Sequence, residues 1–190
     1  MESSAGEITP LAPPAERRAN LRAHMRAVNE TGHTCAACTG VCCTFVANSM
    51  RITPVEALDM KTRLEAEGRW TPELFAGLQE TVERYRLDRE TGDGRRTLRK
   101  TYTCPFYTPG PRGCSIHPDH KPYGCLAFNA KRPGVTEGGD CASSVKELEN
   151  REAAFPNETA HNRVLKTKHQ LPWDKAPIPT ALLALVRRKQ

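Results

Sequence analysis

Apolar positions recur at helical spacing in several stretches of the chain. Leu21, Met25 and Val28 fall at i, i+4 and i+7, a narrow stripe that predicts a helix from Pro14 to about residue 29, with Asn29 and Gly32 as stop signals. Thr53-Pro54-Val55-Glu56 combines an N-cap threonine, proline at the first helical position and a glutamate that completes a capping box. It predicts a helix over 54–67 with Val55, Leu58 and Leu64 inward, ended by Gly68. Thr71-Pro72-Glu73 repeats the start, and Leu74, Leu78, Val82 and Tyr85 mark the buried face of a helix over 72–87.

Elsewhere the pattern is weaker. Thr44-Phe45-Val46 reads as a short strand or the last turn of a helix. Thr91-Gly92-Asp93-Gly94, followed by alternating residues to Thr103, reads as a β-hairpin. Between 104 and 141 prolines and glycines interrupt every pattern, so this segment is expected to be loop-like, with little core of its own. Residues 141–155 predict a helix carrying Val145, Leu148 and Phe155. Thr180 to Arg188 predicts a short C-terminal helix capped by Thr180 that packs onto the domain. The expected organisation is a flexible tail over 1–14, a cysteine-rich domain over 15–150, and an extension over 151–190.

Composition changes this picture in one respect. Only 38% of the 190 residues are hydrophobic and 6% aromatic, a modest core that calls for cross-links. Eight cysteines are available for them. The first residues lack the basic and apolar regions of a secretory signal, and no apolar run nears the roughly 20 residues that cross a bilayer. A cytoplasmic protein without membrane contact is therefore expected. In that reducing compartment clustered cysteines read as metal ligands rather than disulfides.

The net charge of +6 includes a basic stretch from Arg84 to Lys100. It reads as a solvated face. No nucleic-acid motif accompanies it, so the expected partner is a protein or small molecule rather than nucleic acid.

Four cysteines, Cys35, Cys38, Cys42 and Cys43, lie within nine residues, and Cys104, Cys114, Cys125 and Cys141 follow. On a helix Cys35, Cys38 and Cys42 share one face, with Cys43 about 100° round. On a strand Cys42 and Cys43 point apart, so in either form the adjacent pair is poorly placed to chelate one ion. Local thiols joined by thiols from a distant loop suit structural zinc or an iron–sulfur centre, because thiolate is a soft ligand. The spacing matches neither ferredoxin runs nor a zinc ribbon. The eight sulfurs could make two four-ligand sites, or one site with cysteines left to pack or react.

His33, His117 and His120 lie near cysteines, and read as groups around the site rather than ligands. His24, His161 and His169 read as surface residues. Asp119, Glu137 and Asp140 are carboxylates near cysteines, and Cys114 with His117 is a minor candidate for a nucleophile pair.

The succession Cys35-x2-Cys38-x3-Cys42-Cys43, Ile52-Thr53-Pro54-x-Glu56, Cys104-Pro105-Phe106, Gly113-Cys114-Ser115-Ile116-His117 and Lys121-Pro122-x-x-Cys125-x-x-Phe128 resembles the YkgJ-type cysteine-cluster family over about residues 33–141. Its members are described as zinc- or iron-chelating proteins. A flagellin lysine methylase resembles the family over the cluster, which implies an iron–sulfur centre and leaves enzyme activity open. The chain departs from the family where an aromatic-x-x-Arg-Pro stretch is usual, having Ile116 to Pro122, and has Leu126 where an arginine follows the third late cysteine. The resemblance therefore carries over cysteine positions and not a reaction.

The expected fold is α+β and mainly helical, a small metal-stapled domain with an irregular, loop-rich, cysteine-containing second half. The expected function is metal binding, by an iron–sulfur cluster (a four-iron, four-sulfur cluster favoured) or zinc, in binding or electron transfer. The alternatives are a metal-cluster-dependent enzyme of protein modification or redox chemistry, and a structural interaction module with a basic docking face.

Overall fold

A computed structural model describes residues 9–32, 39–89, 99–110, 113–134 and 141–186. The predicted hairpin turn, Cys35, Cys38, His33, Glu137, Asp140, Arg95 and Arg96 lie outside the described residues, as does the end of the predicted C-terminal helix. Among the described residues the chain is mainly helical. It forms seven α-helices: α1 (Pro14–Glu30), α2 (Pro54–Ala66), α3 (Pro72–Tyr85), α4 (Tyr123–Leu126), α5 (Val145–Ala154), α6 (Asn157–Lys168) and α7 (Ile178–Val186). Four short strands, β1 (Arg51–Ile52), β2 (Phe128–Ala130), β3 (Cys141–Ser143) and β4 (Ala176–Pro177), make two antiparallel pairs, β1 with β4 and β2 with β3. No described helix is long and apolar enough to cross a membrane.

The strongest local signals produce the helices they predict. The Thr53 hydroxyl accepts from the Glu56 N–H, and the Glu56 carboxylate accepts from the Thr53 N–H at 2.8 Å, so the capping box closes both ways. Gly68, at φ +66°, ends α2, and the next N–H, that of Arg69, donates to the Leu64 carbonyl at 2.7 Å. Thr71 caps α3. Thr53→Ala should cost about 1 kcal/mol, read as a lower denaturant midpoint with an unchanged slope.

The main core forms where α7 packs on α2 and α3. Ala57, Met60, Leu64, Leu78, Val82, Ala181 and Leu182 are buried there, so α7 packs as expected. It begins two residues earlier than predicted, because the Ile178 N–H donates to the Tyr102 hydroxyl at 3.0 Å. Thr180 consequently lies inside α7, with its hydroxyl buried and unpartnered, and is not the cap. Tyr102 is fully buried, and its hydroxyl donates in turn to the Met50 carbonyl at 2.6 Å.

A second cluster joins Leu21 of α1 to Tyr123, Leu126 and Ala127, with Leu148 of α5 against it. Several expectations change in this half. Phe106, Ile116, Tyr123 and Leu126 are all buried, so the segment after Cys104 does contribute to a core. Val145 is 61 % exposed, although it falls in the predicted helix. Phe45 and Val46 lie in an exposed turn rather than a strand or helix. Helix α6 has no counterpart among the predicted elements. Residues 9–12 are held in place: the Thr9 and Pro10 carbonyls accept from Asn157, and the Ala12 carbonyl accepts from Arg17.

A layer of buried charge lies against the second cluster. Arg17 and Arg18 of α1 are 2 % and 0 % exposed. Arg17 donates to Asp59 at 2.7 Å, and Arg18 to the other oxygen of Asp59 at 2.9 Å. Glu158 of α6 receives Arg17, Arg151 of α5 and the Tyr123 hydroxyl. The guanidinium carbons of Arg18 and Arg151 lie 4.6 and 3.4 Å from the centre of the Tyr123 ring. Charge thus links α1, α2, α4, α5 and α6.

Candidate metal centre

The adjacent cysteines sit on a 3-10 turn, Val41–Cys43, with Gly40 before it at φ +76°. Cys42 and Cys43 are neighbours through their thiols as well as the chain, with a hydrogen bond between them. The late cysteines approach this turn through backbone pairing. The Cys104 N–H donates to the Cys43 carbonyl at 2.7 Å, and the Ser115 N–H donates to the Phe106 carbonyl at 2.9 Å, folding Cys114 back beside Cys104.

Two glycines permit the crossing. A Cβ on Gly113 would come within 3.0 Å of the Gly40 Cα, and one on Gly40 would meet the Tyr107 ring at 2.7 Å. Larger residues here would push apart the segments that carry Cys42 and Cys114. The Tyr107 hydroxyl also donates to the Thr39 carbonyl at 2.9 Å, fixing the entry to the turn.

Cys125 lies on α4, whose first N–H, that of Tyr123, donates to the buried Glu56 carboxylate at 2.8 Å. The capping glutamate of α2 therefore also seats the helix that carries Cys125. Sequence reasoning gave Glu56 only its capping role. No local pattern reveals a contact across 67 residues.

Cys42, Cys43, Cys104, Cys114 and Cys125 line one depression of about 1340 Å3. Cys141 does not line it, and stands opposite Ala130 in the β2–β3 pair. Cys42, Cys43, Cys104, Cys114 and Cys125 are free thiols. Burial, and then the neighbouring Cys114 and Cys42 thiols, push Cys104 up to about 12. Burial, followed by Cys104 and Cys114, raises Cys125 well above an ordinary thiol. Cys42 is raised by its hydrogen bond with Cys43 and then by burial. Lys121 opposes all three shifts. These thiols are therefore close enough to feel one another's charge, around a single ammonium.

The donor chemistry suits a soft metal, but the described residues do not close a site around one. Among them no three His, Cys, Asp or Glu side chains come close enough to hold an ion. Cys35 and Cys38, the other half of the early cluster, lie outside the described residues.

Of the two histidines near the late cysteines, His117 is engaged elsewhere. His117 Nδ1 accepts from the Asp119 N–H at 3.2 Å, capping the short turn Pro118–His120. His120 Nδ1 is buried and unpartnered, and burial, with Arg18 next, lowers the pKa of its ring. Asp119 pairs with Arg22 of α1. His161 does not stand alone on the surface, since its ring bonds the Thr9 carbonyl at 2.8 Å. In the basic stretch Arg84 pairs with Glu80, and Lys100 donates to the Arg86 and Arg89 carbonyls.

No family model, curated protein or solved structure matches the chain, so the resemblance to the YkgJ-type family rests on its motifs alone.

Proposed function

We propose that the chain is a metal-binding protein of the cytoplasm that holds an iron–sulfur cluster, with a four-iron, four-sulfur cluster favoured, or zinc. The observation that carries this reading is the convergence of Cys42, Cys104, Cys114 and Cys125 on one depression, from positions up to 83 residues apart in the numbering. Buried neutral thiols gain little by gathering, whereas deprotonated thiols gathered on a soft cation gain much. Cys35 and Cys38 would complete the donor set, joined by Cys42 or Cys43 and by Cys104, Cys114 and Cys125. An iron–sulfur cluster held there would supply one-electron transfer, and zinc a cross-link. Lys121 would balance part of the thiolate charge.

The size of the depression favours a second reading, a metal-cluster-dependent enzyme with room for a substrate beside the thiols. The YkgJ-type resemblance is compatible with both readings.

Metal analysis and an ultraviolet–visible spectrum of anaerobically purified protein test the proposal. Broad absorption near 400 nm is expected for the iron–sulfur form, and a colourless zinc protein otherwise. Cys35→Ser, Cys38→Ser, Cys104→Ser and Cys125→Ser should each lose most of the metal. Full metal content in the four variants would remove the proposal.

A further inference from the structure

The depression that receives the thiols continues well beyond them. Its wall is built from α1, the segment 47–56, the segment 114–128, α5, α6 and the turn 172–175. A volume of about 1340 Å3 exceeds the roughly 300–1,000 Å3 typical of pockets for small molecules, and fits an extended chain better.

Its charge is one-sided. Among the described residues nine Arg and Lys line it, against four Asp and Glu. Three of the nine have carboxylate partners: Arg22 with Asp119, Arg151 with Glu158 and Lys166 with Asp174. Among the described residues, Arg26, Lys121, Arg163 and Lys175 have none. Lys121 lies among the thiols, where a bound metal would draw on its charge. Arg163 and Lys175 come from segments that carry no cysteine, so the thiols do not account for them. Apolar side chains, among them Phe155 and Trp173, line the same depression. An excess of cations beside apolar side chains complements a chain that carries both carboxylates and apolar side chains.

We propose that this groove binds an acidic polypeptide segment of a partner protein, its carboxylates on Arg163, Lys175 and Arg26 and its apolar side chains against Phe155 and Trp173. The interaction stands whether or not the thiols carry metal. Among the described residues of the basic stretch 84–100, Arg99 alone lines the groove.

The test uses the full chain and a fluorescein-labelled peptide of Glu and Asp carrying two phenylalanines, followed by fluorescence anisotropy. Saturable binding is expected, with Arg163→Gln and Lys175→Gln each weakening it about fivefold. Neither side chain makes a hydrogen bond or ion pair among the described residues, so both variants should melt like the parent. Lys146→Gln, on the exposed side of α5 and outside the groove, should leave the affinity unchanged. An equal loss in Lys146→Gln would mean attraction to net charge alone, and would overturn the proposal. So would the absence of saturation. Complete displacement of the peptide by inorganic phosphate would reassign the groove to a small oxyanion and overturn it equally.

Discussion

Asp59→Ala is expected to destabilise the protein by about 3–5 kcal/mol, the largest effect of any single substitution considered. Asp59 is buried and receives both Arg17 and Arg18, one on each carboxylate oxygen. Its removal leaves two guanidinium groups without their main countercharge in a region that water does not reach. Arg18 then keeps only the Lys121 and Pro14 carbonyls and the face of the Tyr123 ring, and its Nη2 already has no partner. The expected loss is lowered unfolding temperature by about 10 °C for a chain of this size. Breaking the exposed Arg84–Glu80 pair by Glu80→Ala should cost less than about 1 kcal/mol, because water screens it. Similar small losses for the two variants in calorimetry would mean that the buried layer is not held by charge.

Metal-free, reduced protein is expected to lose stability steeply above about pH 9. Burial raises Tyr102, Tyr123, Cys104 and Cys125, while the Cys43 hydrogen bond raises Cys42. In each case the folded protein keeps a proton that the unfolded chain gives up near its ordinary value. The unfolded state then binds fewer protons, so stability falls as pH rises. The loss begins near pH 9 for the thiols and near 10 for the tyrosines, and continues through about 12, where Cys104 itself ionises. Each proton so retained costs about 1.4 kcal/mol per pH unit. Below about pH 8 these groups are neutral in both states and the contribution is intact. Unfolding temperatures measured from pH 8 to 12 should therefore drop progressively, with a shallower slope in Tyr102→Phe. Metal-loaded protein should also show the shallower slope, since bound thiolates have already released their protons. A flat profile to pH 11 would contradict the assigned burial of these groups.

Helices α2 and α3 were legible because their starts are written locally, in Thr53-Pro54 and Thr71-Pro72. Helix α6 was not. Its inward residues include Glu158, which meets Arg17 and Arg151, and Asn162, whose side-chain oxygen accepts the Val55 N–H at 2.9 Å. A helix that docks through polar groups leaves no apolar stripe to read. The burial of Arg17 and Arg18 is equally absent from the local pattern, since their shared partner Asp59 lies 42 and 41 residues away. The segment after Cys104 hid its core because Phe106, Ile116, Tyr123 and Leu126 follow no period. Of the candidate site, the sequence supplied the cysteines. It could not supply the Gly40–Gly113 crossing, which depends on two segments meeting.

Strand β1 pairs with β4, and the Arg51 guanidinium reaches the Lys175 carbonyl 124 positions later. Helix α7, which covers Leu78 and Val82, is made after the other described elements. On the ribosome, then, α2 and α3 emerge with capped ends but with their apolar faces bare, and they stay so until the residues from Ile178 onward have been synthesised. Closure of so long a loop is slow relative to local helix formation. The nascent chain therefore passes through a period in which its largest apolar surface is open to chaperones, and premature termination before Ile178 yields a product that cannot complete its own core.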